Sequence, residues 1–153
     1  MVKSIILNLT MLLALSSCSY NEKKMTNLEI IKSTYEGKTS EENGKNLAKY
    51  IAENISWTEA KGFPYAGTYI GLENVTKNVF SRLGSEWIDY KFTSEGYVAS
   101  EDKVVAYGTY TGTYKKTNKP FTARVAHVWK LKDGKIISFE QFVDSKPVDE
   151  ATR

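Results

Sequence analysis

Apolar residues follow two spacings along this chain, three and four before Trp87 and two after it. From Asn27, the residues Leu28, Ile31 and Tyr35 share one face of a predicted helix that Gly37 should stop. A second helix is expected over Asn43 to Asn54, with Leu47, Tyr50 and Ile51 as its apolar face. A third opens at Gly71-Leu72-Glu73-Asn74, where Leu72, Val75, Val79, Phe80 and Leu83 make a stripe that ends near Gly84. Past Trp87 the alternation predicts four strands, Ile88 to Ser100, Val104 to Lys115, Phe121 to Lys132 and Lys135 to Asp144. Turn signals at Glu101-Asp102, Thr117-Asn118 and Asp133-Gly134 separate them, so consecutive strands should pair antiparallel.

The stretch between the second and third helices breaks the first rule. Ile55, Trp57 and Glu59 alternate with Ser56 and Thr58, so a short strand from Ile55 to Ala60 puts a carboxylate on its apolar side. Such a group finds hydrogen bonds, keeps its proton, or escapes at the strand end. Phe63, Tyr65 and Tyr69 follow among Gly62, Pro64, Ala66 and Gly71, a loop whose rings suit a cavity wall. Two later strands repeat the oddity. His127 is the single polar group on the face of Phe121, Ala123, Val125, Trp129 and Leu131, and Gln141 holds that position among Ile137, Phe139 and Val143, with Asp144 ending the strand. In the strand before, Gly108 and Gly112 alternate with Tyr110 and Tyr114, which leaves ligand space beside the rings or bends a curved sheet.

Composition narrows the classes. A chain of 153 residues suits one domain, and a net charge of +3 without a basic block argues against nucleic acid as a partner. One cysteine and one histidine leave no set for a transition metal, and no phosphate loop, dinucleotide fingerprint or nucleophile elbow is present, so no cofactor is expected. The first residues change the picture more. Lys3, then an apolar run from Ile5 to Leu15 broken by Asn8 and Thr10, then Ser16, Ser17 and Cys18, read as a secretory leader too short to span a bilayer. Leu15-Ser16-Ser17-Cys18 resembles the lipobox of bacterial lipoproteins, which implies residues 1–17 as signal peptide, an acylated Cys18, and residues 18–26 as a flexible tether. The expected location is the cell envelope, lipid-anchored to a bacterial membrane; the alternative is an ordinary leader beside a stray cysteine.

Three helices and a curved antiparallel sheet, with one strand after the second helix, describe an α+β cone enclosing a pocket. From Asn27 to about Asp144, in element order, in WTEAKGFPYAGTYIG and in AHVWKLKDGKIISFEQFVD, the chain resembles the SnoaL-like branch of the NTF2-like superfamily, whose members include ketosteroid isomerases and polyketide cyclases. The resemblance implies an NTF2-like domain over residues 27–153, an apolar small-molecule ligand and a possible homodimer. It implies Glu59 as general base, Tyr35 on the first helix as an oxyanion donor, and His127 where that family uses a protonated aspartic acid. Trp57, Phe63, Tyr65, Tyr69, Tyr110 and Gln141 are then the expected substrate walls. Each has a plainer reading: Tyr35 as core, His127 as a satisfied core histidine, Gln141 as a structural hydrogen bonder. Enzyme status stays open between an isomerase or lyase and a non-catalytic binding or dimerisation module, because this fold hosts many functions.

Overall fold

The computed structural model describes residues 24–153; the leader, Cys18 and most of the tether lie outside the described residues. Helix α1 (Asn27–Ser33) starts from a reciprocal cap, in which the Thr26 hydroxyl accepts from the Glu29 N–H at 3.2 Å and the Glu29 carboxylate accepts from the Thr26 N–H at 2.7 Å. It buries Ile30 and Ile31 and ends at Thr34. Tyr35 therefore sits on the turn just past the helix and not within it, its N–H donating to the Lys32 carbonyl at 3.0 Å. Helix α2 (Ser40–Tyr50) begins and ends earlier than the Asn43 to Asn54 expected. Thr39 caps it through the Glu42 N–H, and Ile51 is already extended because it opens a strand and pairs with Ile136.

That strand, β1 (Ile51–Glu59), is nine residues long, four residues more at its start than the alternation suggested. The aromatic loop closes with a further short strand, β2 (Gly67–Ile70), antiparallel to β1. Three helical pieces then run on without a break: α3 (Leu72–Val75), a π-helical turn (Thr76–Phe80) and α4 (Ser81–Glu86). The wide turn, closed by the Ser81 N–H on the Thr76 carbonyl, brings the consecutive residues Val79 and Phe80 to one wall.

Strands β3 (Trp87–Ser100), β4 (Lys103–Tyr114), β5 (Lys119–Lys132) and β6 (Lys135–Val143) form the antiparallel meander that the turn signals predicted. Asp133 and Gly134 both take positive φ, 52° and 76°, as a two-residue hairpin turn requires. The sheet order is β2-β1-β6-β5-β4-β3, so the first and last long strands meet, and they meet parallel. Everything between β1 and β6 supplies the crossover that such a pair needs.

Register shifts curve the sheet, at Ile51/Ser56, Ile88/Lys91, Ser94/Gly96 and Lys130/Leu131. One of them overturns an expectation. Leu131 pairs with Ile136 and Lys130 with Ser138, so Ile137 is the extra residue of a bulge and Ile136, fully buried, faces inward in its place. Asp144, expected to end the last strand, also caps an unforeseen helix, α5 (Ser145–Thr152), which buries Val148 and Ala151 against the sheet. The concave face otherwise matches the pattern: Ile55, Trp57, Phe121, Ala123, Val125, Trp129 and Leu131 are all buried.

Candidate functional site

Between the concave face and the helices lies a cavity of about 170 Å³. Leu47, Val79, Phe80 and Leu83 form its helical side, and Trp57, Phe92, Trp129 and Phe139 give aromatic walls from the sheet. Its polar lining consists of Thr34, Tyr35, Glu59, Tyr90, Tyr110, His127 and Gln141. Tyr35, Tyr90 and Phe92 also wall an outer groove with Lys38, Asn43 and Lys91, so these three rings partition the cavity from the surface.

Glu59 stays inside rather than escaping at the strand end, with 4 % of its surface exposed. Trp57, two residues back on the same face, donates its indole N–H to Glu59 Oε1 at 2.7 Å, while Oε2 is buried and has no hydrogen-bond partner. Burial disfavours the charged form and raises the Glu59 pKa from 4.5 to about 7, against the smaller opposing pull of the Trp57 N–H. The carboxyl is thus poised to gain or lose a proton near neutral pH.

His127 is equally buried but serves a different arrangement. Its Nδ1 lies 2.6 Å from the Tyr35 hydroxyl and its Nε2 lies 2.5 Å from the Tyr110 hydroxyl. Phe92 and Phe139 pack beside the ring, with centroids 4.7 and 5.0 Å away. Burial alone drives its pKa down from 6.5 to about 3, so the imidazole is neutral and places no cation beside Glu59. The outer ends of this line are fixed by donors. Trp129 gives its indole N–H to Tyr35 at 3.0 Å, and Gln141 gives its amide N–H to Tyr110 at 3.3 Å while its own carbonyl accepts the Ala60 N–H. Burial pushes both tyrosine hydroxyls well above the usual phenol range.

Of the nine expected site positions within the described residues, Glu59, His127, Tyr35, Trp57, Tyr110 and Gln141 share the cavity. Phe63, Tyr65 and Tyr69 do not line it. Tyr65 donates to Glu86 at 2.9 Å and accepts the Trp87 indole N–H at 2.8 Å, Tyr69 donates to the Tyr65 carbonyl at 2.8 Å, and Phe63 packs edge-on against Tyr65. Their hydroxyls and rings hold the loop to α4 and β3. The glycines of β4 leave no ligand space either, because the room beside Gly108 is filled by the Phe92 ring and the Thr93 carbonyl, and that beside Gly112 by Phe121 and Tyr90.

Tyr90 and Phe92 were also legible, since with Ile88 they alternate with Asp89 and Lys91. What alternation could not give is the fate of Ile88: Asp89 has φ 52° and the β3 register shifts between Ile88 and Lys91, so the concave side passes from Trp87 to Tyr90 and Ile88 is left 44 % exposed. Trp129 and Phe139 were legible in principle, since they flank His127 and Gln141 at a spacing of two. Among the described residues no group of three or more His, Cys, Asp or Glu side chains comes together to hold a metal, and no helix is long and apolar enough to cross a membrane.

Comparison with known proteins agrees with this architecture. Residues 35–139 match the model of the SnoaL-like domain family. An NTF2-like protein of Burkholderia thailandensis is 41% identical, with a TM-score of 0.76 over 81% of this chain and 95% of its own. TerC, crystallised with polyporic acid, is 20% identical with a TM-score of 0.71 over 82% of this chain and 96% of its own. A protein of ketosteroid isomerase-like fold from Catenulispora acidiphila, in complex with trimethylamine, is 18% identical with a TM-score of 0.61 over 76% and 86%. No curated protein matches the chain at a significant level. With the family pattern spanning α1's end to β6 and the same cone of helices on a curved sheet, the chain belongs to the SnoaL-like family and has the NTF2-like fold.

Proposed function

We propose that the cavity binds an apolar small molecule and that Glu59 moves a proton at the carbon next to a carbonyl, as an isomerase or cyclase does. One observation carries this: a carboxylate oxygen buried in an aromatic cavity without a partner, on a group whose pKa is raised to about 7. A base works best when its pKa lies near the working pH, and an unpaired acceptor aimed into empty space is costly unless a substrate uses it. Tyr35 and Tyr110, held by His127, are the donors within the same cavity that would face a developing enolate oxygen. Small molecules held by TerC and by the Catenulispora protein support reading the cavity as a ligand site on this fold.

The test is deuterium exchange. A carbonyl compound that binds should lose its α-hydrogens to D₂O, followed by proton NMR, and Glu59→Gln should slow that exchange roughly 10²-fold or more while the ligand still binds. Exchange at the same rate in both proteins would replace the base with a simple binding module.

The alternative, a dimerisation module, is favoured by the convex face. Tyr107, Ala126 and Phe142 stand opposite one another across β4, β5 and β6, with Tyr107 39 % and Phe142 53 % exposed. A homodimer through this row would bury roughly 800 Å² per partner, and a monomer by light scattering at tens of micromolar would rule it out. We further propose that Cys18 is acylated and holds the domain at a cell-envelope membrane; a Cys18→Ser protein that pellets with membranes as fully as the parent would end that reading.

A further inference from the structure

The three groups at the centre of the cavity can be counted by their hydrogens. Tyr35 and Tyr110 each carry one O–H, and the neutral imidazole of His127 carries one N–H, which makes three. Each inner contact uses one, so the two contacts use two. Either Nδ1–H donates to Tyr35 and the Tyr110 O–H donates to Nε2, or the Tyr35 O–H donates to Nδ1 and Nε2–H donates to Tyr110. In both arrangements one tyrosine hydrogen is left over. It cannot turn outward, because the neighbours there, the Trp129 indole and the Gln141 amide nitrogen, are themselves donors. Nor does Tyr90 take it: no hydrogen bond of ordinary geometry reaches the Tyr90 hydroxyl, and where Tyr90 acts on Tyr110 it acts as a donor, lowering the Tyr110 pKa. All three members of the line border the cavity, and the spare O–H is available there.

The cavity therefore offers one hydroxyl donor from the line and one unpartnered carboxyl oxygen from Glu59. It offers no cation: its lining holds no Lys or Arg, and its ionisable members are Glu59, His127, Tyr35, Tyr90 and Tyr110. An anionic ligand would lose its water without gaining a counter-charge. A quaternary ammonium ion would suit the rings and the carboxylate but would leave the tyrosine donor unpaired. Size is the other limit. The space of about 170 Å³ is close to the roughly 150 Å³ that holds benzene, and below the roughly 300 Å³ at which pockets for drug-sized molecules begin.

We propose, resting on the reading of Glu59 given above, that the substrate is an uncharged single-ring carbonyl compound, its oxygen accepting the spare hydroxyl of the Tyr35–His127–Tyr110 line and its α-carbon facing Glu59. Both hydroxyls are too weakly acidic here to surrender a proton, so they polarise the carbonyl by hydrogen bonding and Glu59 does the transfer. The proton leaves the α-carbon for Glu59 Oε2, the C–H electron pair becomes the enolate, and Glu59 then returns a proton to carbon, which in D₂O is a deuteron whenever the carboxyl has exchanged with solvent first.

His127 is the one histidine in the sequence, so ¹⁵N-histidine labelling of the full chain gives a single imidazole to read. With 2-cyclohexen-1-one as probe, its nitrogen signals should stay those of a neutral ring from pH 5 to 8 and shift saturably as the probe binds. Benzoate, tetramethylammonium and progesterone should leave them unmoved at the same concentrations. At least one of Tyr35→Phe and Tyr110→Phe, each checked for folding by its melting curve, should weaken the probe tenfold or more. An imidazolium at pH 7, tighter binding of any of the three controls, no binding of the enone, or full affinity in both Phe variants would overturn the proposal. The two readings fail separately. Enone binding without α-hydrogen exchange sinks the base and leaves the ligand class standing, whereas Glu59-dependent exchange of a multi-ring ketone that excludes the enone does the reverse.

Discussion

Replacing Glu59 with Gln should change how stability depends on pH, by an amount that the structure sets. Folded, Glu59 keeps its proton up to about pH 7; unfolded, it releases it near 4.5. Its contribution is fully present below pH 4.5 and is lost as pH rises through 7. That gap, at 1.36 kcal/mol for each pH unit, amounts to about 3 kcal/mol. His127 has the opposite sign, because its folded pKa of about 3 lies below the ordinary 6.5, so its contribution is full above 6.5 and fades as pH falls toward 3. Between pH 4.5 and 6.5 the two slopes cancel, and together they leave wild-type stability nearly flat. Glu59→Gln keeps an acceptor for the Trp57 N–H and removes only the titration. The variant should therefore climb by about 3 kcal/mol from pH 4.5 to 6.5, and by pH 8 it should have gained about 3 kcal/mol on the wild type relative to their difference at pH 4.5. In a protein of this size that is a shift in relative melting temperature of about 10 °C. Urea unfolding of both proteins at pH 4.5, 6.5 and 8 measures it. If the difference between them is the same at all three, Glu59 does not titrate near neutrality and the argument for a base collapses.

Three further outcomes follow from other parts of the fold. Thr26→Ala removes one half of the reciprocal cap of α1 and should cost about 1 kcal/mol in urea unfolding. Gly108→Ala should prevent stable folding or cost several kcal/mol, since its Cβ would stand 2.0 Å from the Thr93 carbonyl oxygen, whereas Gly44→Ala, with open space around it in α2, should stabilise by about 0.5–1 kcal/mol. Circular dichroism melts separate the two. Tyr65→Phe should lose about 1–3 kcal/mol through its bonds to Glu86 and Trp87 yet leave the affinity for 2-cyclohexen-1-one unchanged, because the ring holds the loop and does not touch the cavity.

Local rules carried the sequence a long way. Period two placed Ile55, Trp57 and Glu59 on one face, and Phe121 through Leu131 on another, without knowledge of any neighbour, because a strand's side chains alternate whatever it packs against. Hairpin signals ordered the last four strands for the same local reason, and three polar groups on apolar faces, Glu59, His127 and Gln141, marked where the cavity would be. What local rules could not reach depends on contacts between distant segments. The parallel meeting of β1 with β6, the bulge that turned Ile136 inward in place of Ile137, and the kink at Asp89 that left Ile88 exposed are set by the closing of a curved sheet, and no periodicity within one strand encodes them. The chemistry divides along the same line. An ionisable residue on an apolar face is written in the sequence, but its charge state is not. Only the folded structure decided that His127, wedged between two tyrosine hydroxyls and two phenyl rings, stays neutral while Glu59, with one oxygen on Trp57 and the other unpaired, titrates near pH 7, because the cost of a buried charge depends on which partners the fold brings to it.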